Sequence, residues 1–292
     1  PLQRATLHYF EMPGKGIIMR NFFRGISRRG ILTLLTGLLV ALPLGASAAD
    51  SPVLSRIAET GTLRVGMSTG QPPFNFKSRE GKTIGMDVDL AGLLSRALNV
   101  NLEIVDMPFG QLLPALESGK VDLVISGMTA TLPRNMRAAF VAPYHVTGKS
   151  ILARSETLAA LGTEELAQTD LKIAALAGST SEDFVKAVAP KAKLTRTDDY
   201  NDAIDLLLAN KVDLFVADAS IIMLSMMRWP DAGLVAANQP QTNEPIGVAV
   251  PAEDPLLLNL VQNYMRAMEA SGVLQQLNKK WFQDASWLIQ LP

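Results

Sequence analysis

The feature that most constrains this chain is an alternation of short apolar runs with helix-spaced segments, made twice. Leu63–Met67 reads as a short strand after the turn residues Thr60-Gly61. Asp87–Leu98 places Leu90, Leu93, Leu94, Ala97 and Leu98 at helical spacing. Leu102–Val105 is a second strand, Gln111–Ser118 a short helix that tolerates Pro114 in its first turn, and Val121–Ile125 a third, mostly apolar strand. The pattern restarts after Tyr144. Ile173–Leu176 and Val212–Val216 read as strands, Glu182–Val188 and Tyr200–Leu208 as helices, and Pro245–Val250 as an apolar run bounded by prolines. Helical stretches at Pro255–Met268 and around Val273–Phe282 close the chain. Two α/β units of about 90 residues follow, each built on a buried parallel sheet with helices on both faces.

Between these elements lie turn-rich segments. Ser68–Phe76 contains Gly70, Pro72 and Pro73 and reads as a loop, and Gly81 and Gly85 bound a hairpin-like connection. Ligands of open α/β sheets sit beyond the carboxyl ends of the strands. That rule points to the loops at Ser68, Ser126, Ala177 and Asp218.

The segment ahead of the first strand is an export address. Arg20, Arg24, Arg28 and Arg29 precede the apolar run Ile31–Ala46, and Ala46-Ser47-Ala48 is a small-residue cleavage pattern. The run falls short of the roughly 20 residues that span a bilayer, so cleavage after Ala48 is expected rather than anchoring. Ser27–Leu32 also resembles a twin-arginine signal, which leaves the export route open between that and Sec. Translation is expected to begin at Met19, and the mature chain near Ala49.

Composition removes several classes of function. There is no cysteine, which excludes disulfides, thiolate metal sites and a cysteine nucleophile. The two histidines, His8 and His145, are too few for a histidine-rich metal site, so no metal or other cofactor is expected. A formal net charge of −1, with no basic stripe beyond the N-terminal segment, argues against a nucleic-acid partner.

Three strand-end segments carry the candidate site. In Ser126–Arg134, Gly127 admits close approach to the backbone, Thr129 offers a hydroxyl, and Arg134 offers a planar fork matched to a carboxylate. Alone, such an arginine reads as a surface residue. In Ala177–Phe184, Ser179 or Thr180 either caps the following helix or helps bind an anion at its N-terminus. Asp218, just past a strand, reads equally as the partner of an ammonium or as a helix N-cap. Together the three supply both counter-charges that a buried α-amino acid requires.

At these residues the sequence resembles the periplasmic solute-binding proteins of polar amino-acid ABC transporters. The resemblance covers Ile57–Phe282. It is carried by Leu63–Gly66 with Pro72–Phe74, Gly85–Ala91, Leu112–Lys120 with Asp122, Gly127–Arg134, Pro143-Tyr144 with Gly148, Gly178–Thr180, Asp213 with Asp218, and Lys280–Phe282. It implies a two-lobed α/β periplasmic-binding-protein fold, two doubly wound sheets joined by a two-strand hinge. Lobe 1 would comprise residues 49–147 plus 246–292, and lobe 2 residues 148–245, with the C-terminal helices packed on lobe 1. A monomer that hands an amino acid to a membrane permease is also implied. Carried over, Arg134 binds the ligand carboxylate, helped by Thr129 and the backbone at Ser179 and Thr180, while Gly127 and Asp218 bind the amino group.

Ser68 stands where basic-amino-acid binders carry an Asp, which disfavours basic ligands, and Gln71 stands where many members stack an aromatic. Gln71 either meets a polar ligand side chain or points to solvent, and Phe109 and Gln111 occupy a stretch that often touches that side chain. The alternative function is a cyclohexadienyl dehydratase-like enzyme, which resembles this family but needs a general acid that the sequence does not display. A sensor that presents its ligand to a partner is a third possibility.

Overall fold

In a computed structural model, residues 51–237 and 239–292 are described. All lie in one compact unit, Ala48–Pro292. The export segment, its cleavage site and the start at Met19 fall outside the described residues.

The fold has two five-stranded sheets, each with helices packed on it. The first runs Asn101–Asp106, Thr62–Met67, Leu123–Val124, Glu244–Pro251, Ala138–Thr147. Thr62–Met67 is parallel to Asn101–Asp106, in register from Thr62↔Asn101 to Met67↔Asp106, and also parallel to Leu123–Val124. The second runs Lys193–Thr197, Lys172–Leu176, Leu214–Asp218, Lys149–Ala153, Val235–Ala236, with its first three strands parallel. Neither sheet is all-parallel, contrary to the sequence expectation. Glu244–Pro251 runs antiparallel to both of its neighbours, and Lys149–Ala153 runs antiparallel to Leu214–Asp218. The reason is the crossing geometry. Ala138–Thr147 leaves the first sheet and continues past Gly148 as Lys149–Ala153 of the second, and Glu244–Pro251 returns alongside it with Glu244 opposite Thr147 and Pro245 opposite Val146. These two strands join the lobes.

Period-two alternation builds the core of the second sheet. Phe215 and Ala217 join Leu152, Ala174 and Leu176 in the main hydrophobic cluster. Leu214 and Val216, one residue out of phase, join Ile151, Ala153, Ile173 and Ala175 in a separate cluster. Both faces are buried, which is why these strands read as continuous apolar runs.

The C-terminal helices Pro255–Ala270 and Val273–Asn278 lie against the first lobe. The Tyr264 hydroxyl donates to the Leu90 carbonyl (2.8 Å) and Trp281 Nε1 donates to Asp89 (2.8 Å). The Trp281 and Trp287 rings pack against Phe76 at centroid distances of 6.1 and 5.3 Å. Among the described residues no helix is long and apolar enough to cross a membrane.

The Ser68–Phe76 stretch is more ordered than a loop. Gly70–Gln71 pairs with Asn75–Lys77, which pairs in turn with Thr83–Ile84, making a small antiparallel ribbon. Asp218 is likewise the last residue of its strand rather than the residue past it.

Candidate functional site

Arg134 sits on the short helix Leu132–Asn135, whose N-cap Thr131 accepts from the Arg134 amide at 3.3 Å. This turn directs the side chain inward, where it is only 9% exposed. Nη1 donates to the Thr129 carbonyl (2.9 Å) and Nη2 to the Gly178 carbonyl (3.1 Å), and the guanidinium lies 5.5 Å from the Phe109 ring centroid. Burial lowers its pKa, while Asp183, Glu244 and Asp218 oppose that shift through their charge. Arg134 thus touches Thr129 from its own lobe and Gly178 from the other, and it forms no ion pair among the described residues. The partners of a buried cation are usually explicit, so an unpaired guanidinium fork at a lobe junction is suited to an incoming carboxylate.

Around it the lobes meet closely. The Thr129 and Thr180 hydroxyl oxygens are 3.4 Å apart. Gly178 has φ +71°, and a Cβ there would fall 2.8 Å from the Gly110 Cα. At Gly70 an added Cβ would fall 2.5 Å from the Asp199 Cβ. Ser179 caps the helix Thr180–Val188: its hydroxyl accepts from the Ser181 and Glu182 amides (3.2 and 3.3 Å) and donates to the Leu176 carbonyl (2.7 Å). Its side chain is fully used by the fold, which leaves the turn's backbone and the Thr180 hydroxyl to face the junction.

Glu182 holds that turn. It accepts from the Gly178 amide (2.7 Å) and from Arg196 Nε (2.5 Å), and it pairs with Lys186 Nζ (2.6 Å). Burial alone would raise its carboxyl pKa. The Lys186, Gly178 and Arg196 contacts outweigh burial and bring the value from 4.5 down to about 2. A folded-state pKa below the unfolded value means stability that is present above 4.5 and lost as pH falls toward about 2. Lys186 and Arg196 are half exposed, so solvent screening reduces the gain to about 1 kcal/mol. Glu182→Gln is therefore expected to unfold about 1 kcal/mol more easily in urea at neutral pH. That deficit should close as acid titrates the wild type, and a deficit independent of pH would contradict this account.

Asp218 is placed at a helix N-cap but makes no capping bond with its side chain. Oδ1 accepts instead from Lys149 Nζ (2.6 Å), and Lys149 is 1% exposed. Lys149 Nζ is also 3.7 Å from Glu244 Oε2, and Glu244 accepts from the Thr242 hydroxyl (2.8 Å). Burial would raise the Glu244 pKa, but Lys149 and the hydroxyls of Thr242, Thr129 and Thr180 hold it below its ordinary value. Tyr200, buried on Phe215 (5.9 Å between centroids), has its phenol pKa raised well above 10 by burial and by the Asp218 charge. Sequence reasoning missed Lys149, Glu244 and Tyr200. The available signal was a lone lysine set between Gly148 and the apolar run Ile151–Ala153.

Ser68, Gln71 and Ser126 form an adjoining cluster. Ser126 Oγ accepts from the Ser68 amide (2.9 Å) and from Gln71 Nε2 (3.2 Å). Gln71 is buried, so it does not point to solvent. Beneath it, Asp87 accepts from Asn75 Nδ2 (2.6 Å) and the Tyr144 hydroxyl (2.7 Å), and Tyr144 in turn accepts from the Gly127 amide (3.2 Å). Burial pushes the Asp87 carboxyl up to about 6, against those hydrogen bonds. Gly127 has φ +54°, and a Cβ there would press on the Phe74 ring at 3.1 Å, so a larger residue would disturb this floor. The structure thus brings Thr129, Arg134, Phe109, Gly178–Thr180 and Asp218 to one junction, with Ser68, Gln71, Ser126 and Gly127 in the layer beside it.

A cavity of about 550 Å³ opens between the lobes beside Ser68, lined also by Asp106, Asp199 and Arg228. Another, of about 570 Å³, lies at the crossing strands between Met223 and Phe282. Neither contains Arg134. Among the described residues no group of three or more His, Cys, Asp or Glu side chains could hold a metal ion.

The family model for bacterial extracellular solute-binding proteins, family 3, matches residues 63–284. ABC transporter arginine-binding protein 1 of Escherichia coli (strain K12) is 26% identical over 255 residues, 85% of this chain and 98% of that protein. Cyclohexadienyl dehydratase of Pseudomonas aeruginosa is 29% identical over 254 residues, 84% and 92% of the two chains. A solved mutant of ArgBP from T. maritima superposes with a TM-score of 0.75 at 34% identity, covering 80% of this chain and all of that one. With the family match spanning both sheets and the junction between them, the chain belongs to the bacterial extracellular solute-binding proteins, family 3.

Proposed function

We propose that the chain is a periplasmic solute-binding protein that captures an amino acid or close analogue around Arg134 and delivers it to the membrane permease of an ABC importer. The observation that carries this reading is the buried Arg134 fork, held by two backbone carbonyls from opposite lobes and by no carboxylate among the described residues. A ligand carboxylate takes the fork, with the Thr129 and Thr180 hydroxyls and the backbone at Ser179 and Thr180 beside it. The ammonium takes Asp218 through the oxygen that Lys149 leaves free, together with the backbone at Gly127. Ser68, Gln71, Ser126 and Phe109 shape the space for the side chain.

The lobes are residues 49–147 plus 246–292 and residues 148–245. They close about the two crossing strands by as much as the ligand prefers the closed state. The working protein is a monomer exported by its N-terminal segment, with cleavage after Ala48, and it performs no catalysis. A dehydratase would require a protonated acid at the ligand. Glu244 is held in its ionised form, Asp218 is paired with Lys149, and His145 is tied to Asn278 (2.7 Å) and stacked on Phe282 (3.8 Å).

Calorimetry and thermal shift of the mature chain against the common amino acids test the reading. A ligand at 100 times its Kd should stabilise the protein by about 2.7 kcal/mol. If no amino acid or close analogue binds, the reading fails. Release of phenylpyruvate from added prephenate would favour the enzyme instead.

A further inference from the structure

Four buried charges lie around the junction, Arg134 and Lys149 positive, Asp218 and Glu244 negative, while Asp183, which also acts on Arg134, is exposed and screened by solvent. The two acids belong to the second sheet's last parallel strand and to the returning crossing strand, and Lys149 begins the outgoing one. Lys149 Nζ sits 2.6 Å from Asp218 Oδ1 and 3.7 Å from Glu244 Oε2, and the residue is 1% exposed. The side chain is therefore part of the site rather than of the surface. With it, the two cations and two anions sum to zero. Without it, the sum would be −1.

A ligand enclosed here adds its own charge to that sum. Net charge left over in a water-poor cleft is costly, because burial removes hydration that nearby groups must replace. An α-amino acid with an uncharged side chain is a zwitterion and leaves the sum at zero. A cationic side chain would need the extra negative charge that Lys149 cancels, and an anionic one would need a third positive charge.

We propose that Lys149 sets the specificity of this site, restricting it to zwitterionic ligands with uncharged side chains. This rests on the reading that an amino acid binds at Arg134. It acts by leaving a competitor's charge unpaired rather than by adding a contact to the chosen ligand.

Calorimetric titration of the individual uncharged amino acids, arginine, lysine, aspartate and glutamate into the wild type, Lys149→Met and Glu244→Gln tests this. The wild type is expected to bind at least one uncharged amino acid about tenfold or more tighter than any charged one. Lys149→Met, whose site carries −1, is expected to shift the ratio of arginine or lysine to neutral affinity upward by about tenfold or more. Glu244→Gln is nearly isosteric and leaves +1, and it should shift the ratio toward glutamate or aspartate. If Lys149→Met does not fold, Glu244→Gln carries the test alone. A wild type that prefers a charged amino acid, or folded variants whose ratios do not move, would overturn the inference while leaving amino-acid binding intact. A wild type that binds no amino acid overturns the underlying reading and this inference with it.

Discussion

Arg134→Ala is expected to weaken amino-acid binding by roughly 30- to 4,000-fold, the equivalent of losing one partner of a buried hydrogen-bonded charge pair at about 2–5 kcal/mol. Without the fork, the ligand carboxylate would be desolvated against two hydroxyls and a few backbone amides, which cannot neutralise it. The fold itself should survive. Among the described residues the side chain hydrogen-bonds only to the Thr129 and Gly178 carbonyls, and removing an unpaired buried charge relieves a desolvation cost. Circular dichroism should therefore report a folded variant while calorimetry loses the binding heat. Arg134→Lys should also bind poorly, since an ammonium keeps the charge but not the two parallel donors. Unchanged affinity in the alanine variant would move the carboxylate elsewhere.

The largest loss of stability is expected from Asp122→Ala. Asp122 is fully buried immediately before the Leu123–Val124 strand. Oδ1 accepts from Arg56 Nε (3.1 Å) and Arg64 Nη2 (2.7 Å), while Oδ2 accepts from the Arg64 amide (2.7 Å) and from Arg56 Nη2. One carboxylate thus ties the helix Pro52–Thr60, the first strand and the third together. Its removal strands a buried amide and two guanidinium groups. Each guanidinium is about a quarter exposed, so water recovers part of the loss and the expected cost is about 3 kcal/mol rather than the upper end of the range for a broken buried pair. Urea unfolding should show a lower midpoint with an unchanged slope. A change below about 0.5 kcal/mol, typical of surface substitutions, would mean that the cluster is replaceable by solvent.

Much of the architecture was legible because strands buried on both faces leave unbroken apolar runs, as at Lys172–Leu176, and because Tyr200–Leu208 has a clean helical period bounded by polar residues. The Ala138–Thr147 strand was not legible. It carries Pro143 mid-run, and its pairing partner lies a hundred residues away in Glu244–Pro251. The helix Ala219–Arg228 was missed as well, since Ile221–Leu224 is apolar on successive residues and shows no face. At the site, strand-end position together with the family resemblance pointed to Arg134, Thr129 and Asp218. Lys149 and Glu244 stayed hidden because a single lysine or glutamate in a chain normally marks the surface. Only the tertiary pairing with Asp218 reveals that this lysine is interior. Ser126 shows the opposite limit: its strand-end location was readable, but its hydroxyl is committed to the Ser68 and Gln71 donors.

The Gly110–Gly178 contact gives the cleft a hard stop. Two bare backbones touch there, with no rotamer to yield on either side. If the lobes close about a solute as proposed, main chain rather than side chains that can change rotamer limits their approach at this point, and a Cβ at Gly178 would fall 2.8 Å from the Gly110 Cα and push them apart.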